Sequence, residues 1–191
     1  MQVACASSAA QMSLAGQLSS PLALYRKLER ESYRAFHAQT PLHKVDHFFN
    51  FCVTATSMRD YTLEHLQKTS ESDRQPYFAM WTKIPSLIAA AEIANSSKHF
   101  VLRDRRTGAP RPAKTLAVRM KKATFVDIYA NDTGELKMVQ AKRTEVTVTL
   151  SDGTSHELHA FTSQVLEYWR DYLASMGLKV RRQPFAQLSG K

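Results

Sequence analysis

Residues 144–154 read TEVTVTLSDGT, and this stretch decides what kind of fold the chain can adopt. Val146, Val148 and Leu150 alternate with Thr147 and Thr149, which is the two-residue period of a strand with one buried face. The Asp-Gly pair that follows is a preferred hairpin turn. The stretch therefore predicts an antiparallel strand that turns back into a short strand, SHELHAF, at residues 155–161.

Further strands are predicted on the N-terminal side of this hairpin. TLAVRM at residues 115–120, ATFVDIYA at 123–130 and ELKMVQA at 135–141 are rich in residues that favour strands, and a turn sequence, NDTG, occupies residues 131–134. Together they predict an antiparallel meander of four or five strands over residues 114–159.

Before residue 110 the apolar residues follow a helical period instead. Ser20 can cap a first helix that has Pro21 in its first turn and ends before Pro41, and a second helix runs from Pro41 to the polar cluster at residues 69–73. A third helix covers residues 74–83, and Pro85 begins a fourth that extends to residue 100. Residues 20–100 are therefore predicted to form a helical part.

The chain closes with an amphipathic helix over residues 160–177, for which Gly177 suits the C-cap. We expect its apolar stripe to pack on the sheet; the stripe consists of Phe161, Val165, Tyr168, Tyr172 and Met176. The predicted fold class is α+β, with an N-terminal helical bundle, an antiparallel β-meander and a C-terminal amphipathic helix. A single domain spans residues 20–177, between a disordered tail at 1–19 and a basic tail at 178–191.

Positive charge is concentrated in residues 98–122, which hold nine Lys or Arg and one acid, Asp104, whereas the whole chain has a net charge of +9. Residues 178–191 add four more cations without an acid, so the remainder of the chain is slightly acidic. A concentrated basic segment is typical of a protein that binds a polyanion. The alternative is a solvated loop, 101–113, without a partner. The candidate polyanion-binding residues are Lys98, Arg103, Arg105, Arg106, Arg111, Lys114, Arg119, Lys121 and Lys122.

Several classes of protein are disfavoured. No run approaches 18 consecutive apolar residues and residues 1–19 do not resemble a secretory signal, so we expect a soluble, cytoplasmic protein without a membrane partner. The two cysteines, Cys5 and Cys52, form no disulfide framework. His43 and His47 are spaced for a metal, but the chain supplies no further ligands, and Walker, GxGxxG and nucleophile-elbow motifs are absent. We therefore predict neither a metal nor another cofactor.

Polar side chains share one stripe on the second helix and another on the fourth. If these stripes face each other, imidazoles, amides and a carboxylate would meet in a seam suited to acid–base chemistry. Alternatively, the same residues form interhelical hydrogen bonds or face water. The second helix contributes His43, His47, Asn50, Thr54, Tyr61 and His65, and the fourth contributes Glu92, Asn95 and His99.

Residues 46–61 (DHFFNFCVTATSMRDY) and 92–100 (EIANSSKHF), followed by a β-rich stretch that ends in DGT and a helix with EYWRDYL, resemble a group of uncharacterised bacterial and phage proteins with FFNF..TA..RD and N..KHF helices. The resemblance covers residues 42–177. More distantly, the helical part is similar to HEPN domains. That resemblance implies a metal-independent endoribonuclease with an Arg-x(4–6)-His motif at a dimer cleft, and hence a homodimer. The matching pairs are Arg30 with His37 and Arg59 with His65. The candidate catalytic residues are Arg30 and His37 from this motif, together with His99, Asn95 and His47 from the polar stripes.

Three functions remain open from the sequence. The first is binding of a nucleic acid, RNA in particular, or another polyanion in a protein of bacterial or phage origin. The second is a HEPN-like endoribonuclease of a toxin or phage-defence system. The third is a non-catalytic module that binds an acidic protein. The sequence alone leaves open whether the protein is an enzyme.

Overall fold

A computed structural model describes residues 18–98, 106–110, 117–130 and 133–181, and it confirms the α+β class. Most of both predicted tails lies outside these ranges. In the described residues the elements are α1 (Pro21–His37), α2 (Pro41–His65), α3 (Glu71–Trp81), α4 (Pro85–Lys98), β1 (Ala117–Ala130), β2 (Leu136–Thr149), β3 (Ser155–Glu157) and α5 (Leu158–Ser175).

The first two helices begin where the sequence predicts them. Ser20 Oγ accepts a hydrogen bond from the backbone N–H of Ala23 at 3.1 Å, and Pro21 occupies the first turn of α1. Thr40 Oγ1 caps α2 in the same way, accepting from the N–H of His43 at 3.2 Å. Each cap satisfies a backbone donor that has no partner inside the helix.

The sheet has three described strands rather than four or five, in the order β1-β2-β3 with antiparallel pairing throughout. The predicted strands at 115–120 and 123–130 are one continuous strand, and so are those at 135–141 and 144–150. Their junctions, Lys121-Lys122 and Lys142-Arg143, are charged but continue the alternation, and neither pair favours a turn. We call the long two-stranded hairpin formed by β1 and β2 the ribbon.

The closing helix also differs from its prediction. SHELHAF is a strand only as far as Glu157, and α5 begins at Leu158. Its most buried apolar residues are Leu158, Phe161, Val165, Trp169 and Leu173, whereas the predicted stripe members Tyr168, Tyr172 and Met176 are only half-buried. The reason is that α5 packs on α1 and α4 as well as on the sheet, so its buried face is turned toward the helices.

Aromatic residues join the helices and the strands into one core. The Trp81 and Trp169 rings lie 5.6 Å apart at their centroids and both residues are fully buried. Phe161 of α5 contacts Phe48 of α2 at 5.8 Å. The ribbon reaches the end of α1 through Phe125, whose ring lies 6.3 Å from that of Phe36. The ribbon therefore packs on the rest of the protein along only part of its length, through Phe125 on one face and through Val146 and Val148 on the other.

In the ranges that the structure describes, no helix combines the length and the apolar character needed to cross a membrane.

Candidate functional site

The structure describes the side chains of four of the nine predicted polyanion-binding residues. Arg106, Arg119, Lys121 and Lys122 are all exposed, the last three on β1. Lys98 ends α4, but its side chain lies outside the described residues, as do Arg103, Arg105, Arg111 and Lys114. The described part of the predicted basic segment is therefore mainly a strand of the ribbon.

Two cations on the face of the ribbon that carries Phe125 are paired with acids. Lys121 lies opposite Glu145 in the β1–β2 register, and its Nζ is 3.0 Å from a carboxylate oxygen of Glu145, which is buried. Arg143 of β2 forms a two-pronged ion pair with Asp127 of β1. Lys121, a predicted polyanion-binding residue, is therefore exposed but has an acidic partner within the protein.

The opposite face of the ribbon carries two lysines that point to solvent. Lys122 pairs with Thr144 in the register and Lys142 with Thr124, so the two lysines are diagonal neighbours on one face. At this position across a strand pair their Cβ atoms are about 7 Å apart. Both are exposed, and neither forms an ion pair with a carboxylate of the described residues. Lys142 was missed by the sequence analysis because it lies outside the basic segment along the chain.

A second polar group of residues lies between α1 and α2. Glu31 is buried, and its carboxylate receives a hydrogen bond from Arg34 at 3.1 Å and lies 3.0 Å from His47 Nδ1. One helical turn before Glu31, Lys27 Nζ donates to Thr54 Oγ1 at 2.6 Å. Burial lowers the pKa of Lys27, while Glu31 opposes this effect. We call Lys27, Glu31, Arg34, His47 and Thr54 the α1–α2 cluster.

The contacts of the α1–α2 cluster show that the polar stripe of α2 faces α1. Both His47 and Thr54 meet residues of α1, whereas the sequence interpretation had placed the stripe against α4. Among the predicted partners on α4, Glu92 is buried and Asn95 is half-buried, and His99 lies outside the described residues. The spacing of Lys27, Glu31 and Arg34 along one face of α1 was the sequence signal that could have indicated the true partner.

The two Arg-to-His pairs occupy different surroundings. Arg30 and His37 are both half-buried on α1, two turns apart, and the His37 ring packs on Tyr33 at 4.2 Å. Burial and the positive charge of Arg143 lower the pKa of His37. Arg59 donates to the backbone oxygen of Leu87 at 3.2 Å and so joins α2 to α4.

His65, the partner of Arg59 in the sequence motif, is exposed at the end of α2. Arg59 instead forms the hydrogen bond to Leu87 that joins α2 to α4.

Lys44 is a buried cation that the sequence analysis did not single out. It is only 2% exposed, and its Nζ donates to the backbone oxygens of Ala35 and Phe36 at 2.7 and 2.8 Å. These carbonyls belong to the last turn of α1, where no further helical N–H follows. Burial, followed by repulsion from Arg143, lowers the pKa of Lys44 to about 8. The Lys44 ammonium group thus caps the C-terminal end of α1 next to the ribbon.

Within the described ranges, no group of three or more His, Cys, Asp or Glu residues could hold a metal ion. His43 is exposed in the first turn of α2 and forms no site with His47, whose Nδ1 faces Glu31. Comparison of the chain with models of protein families, with curated proteins and with solved structures gives no match.

Proposed function

We propose that the protein binds a nucleic acid, RNA in particular, through the exposed lysine pair on the ribbon. The observation that carries this proposal is a contrast among the cations of the ribbon: Lys121 and Arg143 have acidic partners, whereas Lys122 and Lys142, which are neighbours on the other face, are exposed and have no acidic partner among the described residues. Cations without internal partners are free to neutralise phosphates and release condensed counterions. A two-stranded ribbon is also narrow enough to approach a nucleic-acid backbone closely.

Residues around the ribbon support the same proposal. Arg119 of β1 is exposed without an ion pair in the described part of the chain, on the face of Lys121, and Arg106 is exposed in the segment before the ribbon. The sequence adds further cations on both sides of Arg106. Base stacking is not required for such binding, because phosphate contacts alone supply affinity independent of sequence.

The double substitution Lys122→Gln with Lys142→Gln tests this proposal. Binding of a fluorescently labelled RNA 20-mer and of a duplex DNA is measured by anisotropy over a range of salt concentrations. If both lysines contact phosphate, the slope of log K against log salt falls by about 1.4 for a single strand and about 1.8 for B-DNA. Affinity at low salt falls at least tenfold. The nucleic acid whose affinity falls more is the one that the two lysines contact preferentially.

A matched control removes two other lysines, with the same change in net charge. Lys68 and Lys83 lie outside the ribbon, after α2 and between α3 and α4. Lys68→Gln with Lys83→Gln should leave both the affinity and the salt slope close to those of the parent. Equal losses in the two double variants would mean that net charge alone governs binding. No binding of RNA or DNA by the parent at low salt would refute the proposal.

A second candidate function, metal-independent RNA cleavage, is favoured by the α1–α2 cluster. A carboxylate that accepts the Nδ1 proton of a histidine leaves Nε2 available as a base, and the buried Glu31 lies at the required distance from His47. Arg34 lies beside the same carboxylate and could stabilise charge that develops on a phosphate. The His47 side chain is 32% exposed, so a substrate can reach it.

In this reaction His47 would remove the proton of the 2′-hydroxyl, the 2′ oxygen would bond to phosphorus, and the bond to the 5′ oxygen would break. The leaving oxygen takes a proton from water, and the hydroxide that remains takes the proton from His47, which gives a 2′,3′-cyclic phosphate, a 5′-hydroxyl end and a regenerated base.

The test is cleavage of labelled RNA in EDTA. His47→Ala should lower the rate by at least about 100-fold, the usual worth of a general base. His43→Ala, the exposed histidine one turn earlier, should leave the rate unchanged. Cleavage at equal rates by the parent and the His47 variant would eliminate this function, without affecting the binding proposal.

A further inference from the structure

The face of the ribbon that carries Lys122 and Lys142 also carries exposed apolar side chains on both sides of these lysines. Seven large hydrophobic residues are exposed on β1 and β2, and six of them lie on this face. The four on β1 are between 45% and 62% exposed. We call the two lysines and the six apolar residues the mixed stripe; the six are Val118, Met120, Val126, Ile128, Leu136 and Met138.

The mixed stripe offers apolar surface and positive charge without a carboxylate. Asp127 and Glu145 are the only acids within β1 and β2, and both lie on the opposite face. Toward the body the stripe stays open on β1, because Met120 is 52% exposed although its partner across the ribbon, Val146, is buried. A partner that covers the stripe must therefore supply negative charge and apolar surface side by side.

We infer that the mixed stripe binds single-stranded rather than double-stranded RNA, an inference that rests on the proposed function and specifies its ligand. A single strand presents phosphates and unpaired bases along the same path, so lysines can contact phosphates while apolar side chains cover the faces of bases. Met120 and Lys122 are two residues apart on one strand, hence about 7 Å from each other. Both can therefore contact the same nucleotide.

A duplex leaves the apolar part of the stripe without a partner. Its bases pair with each other, and the major groove of an RNA duplex is too narrow for side chains to read. The major groove of B-DNA admits a ribbon, but thymine methyl groups are the only apolar surface among its polar base edges. Apolar side chains laid against a duplex would therefore displace water from polar groups without replacing the lost hydrogen bonds, which is unfavourable.

Positive charge alone predicts the opposite preference. A duplex carries more phosphate per unit length than a single strand, and each neutralised phosphate contributes about 0.9 to the salt slope for B-DNA against about 0.7 for a single strand. Two lysines without further contacts would thus bind a duplex at least as tightly as a single strand. Tighter binding of the single strand therefore reports the apolar contacts, which, unlike phosphate contacts, are not screened by salt.

The inference is tested by anisotropy with a labelled RNA 20-mer, with the same RNA annealed to its complement, and with a B-DNA duplex of the same sequence. The parent should bind the free strand at least about fivefold more tightly than either duplex in moderate salt. Met120→Thr with Val126→Thr should weaken binding of the free strand by at least about fivefold, since both residues flank Lys122 on β1 and are about half exposed. The salt slope should not change, because both lysines remain.

The matched control makes the same two replacements away from the ribbon. Val45 of α2 and Met80 of α3 are 40% and 37% exposed. Val45→Thr with Met80→Thr should leave the affinity for the free strand and for both duplexes unchanged. Circular dichroism and urea unfolding check that each variant is folded.

A duplex that binds as tightly as the free strand, or more tightly, overturns the inference and leaves the lysine pair as a phosphate site. Unchanged affinity for the free strand in Met120→Thr with Val126→Thr overturns it as well, including the case in which this variant instead loses self-association or binding to phosphatidylserine vesicles. If Lys122→Gln with Lys142→Gln binds all three nucleic acids as the parent does, the proposed function itself is refuted. The two failures are therefore distinguishable.

Discussion

Replacing Lys44 with methionine should change how the stability of the protein depends on pH. In the folded chain Lys44 is buried and its pKa is about 8, against 10.5 in the unfolded chain. Between these two values the unfolded chain holds a proton that the folded chain has released. Stability therefore rises as the pH increases through this window, since it rises wherever the unfolded state binds more protons.

The magnitude follows from the difference between the two pKa values. One unit corresponds to 1.36 kcal/mol, so a shift of this size is worth up to about 3 kcal/mol. Below pH 8, holding Lys44 charged in its buried position costs the parent this free energy. Two hydrogen bonds from the charged ammonium to the α1 carbonyls offset the cost. Methionine removes both the cost and the hydrogen bonds. Between pH 7 and pH 10, we expect the unfolding free energy of the parent to rise by about 2 to 3 kcal/mol relative to that of Lys44→Met.

Urea unfolding followed by tryptophan fluorescence supplies the measurement, because Trp81 and Trp169 are fully buried. The quantity to compare is the difference in stability between the parent and Lys44→Met. Burial also raises the pKa of Cys52 and of Tyr25, and this lowers the stability of both proteins equally at high pH. Lys83→Met, at an exposed lysine, serves as the control. Parallel stability profiles for the parent and Lys44→Met would refute the inference that burial sets the charge of Lys44.

Other expected effects concern the core and the caps. Trp169→Ala should cost about 3 to 5 kcal/mol in unfolding free energy, because Trp169 is fully buried against Trp81. Ser20→Ala should cost about 1 kcal/mol by removing the cap of α1, again measured by urea unfolding, and an unchanged midpoint would contradict the cap. In a Cys5→Ala background, Cys52 should react with a thiol reagent only after unfolding, since it is buried and its pKa is raised.

Much of the fold could be predicted from local sequence signals. The caps Ser20 and Thr40 fix where α1 and α2 begin, and the alternation around Val146 and Val148 identifies β2. The number of strands was harder to predict. The Lys121-Lys122 and Lys142-Arg143 pairs look like interruptions of a strand when only their polarity is considered. In a strand pair with one open face, charged residues fit the alternation without ending the strand.

The candidate site was predictable only in part. Clustering along the chain identified Arg119, Lys121 and Lys122 as cations of interest, but the cross-strand contact with Glu145 sets Lys121 apart, and the register adds Lys142 to the exposed pair. In the same way, helical spacing placed His47 on a polar stripe without indicating that α1 would supply Glu31. Each missed residue is distant in sequence from the residue that it contacts or neighbours.

By itself the sequence determined the class of fold, the order of helices and strands, and the concentration of positive charge before and within β1, because these depend on residues that are near one another along the chain. Only the tertiary structure decided that the polar stripe of α2 meets α1, and that Lys121 has an acidic partner while the exposed Lys122 and Lys142 have none among the described residues. The physical reason is that periodicity fixes which residues share a face, whereas packing of the whole chain decides what that face contacts.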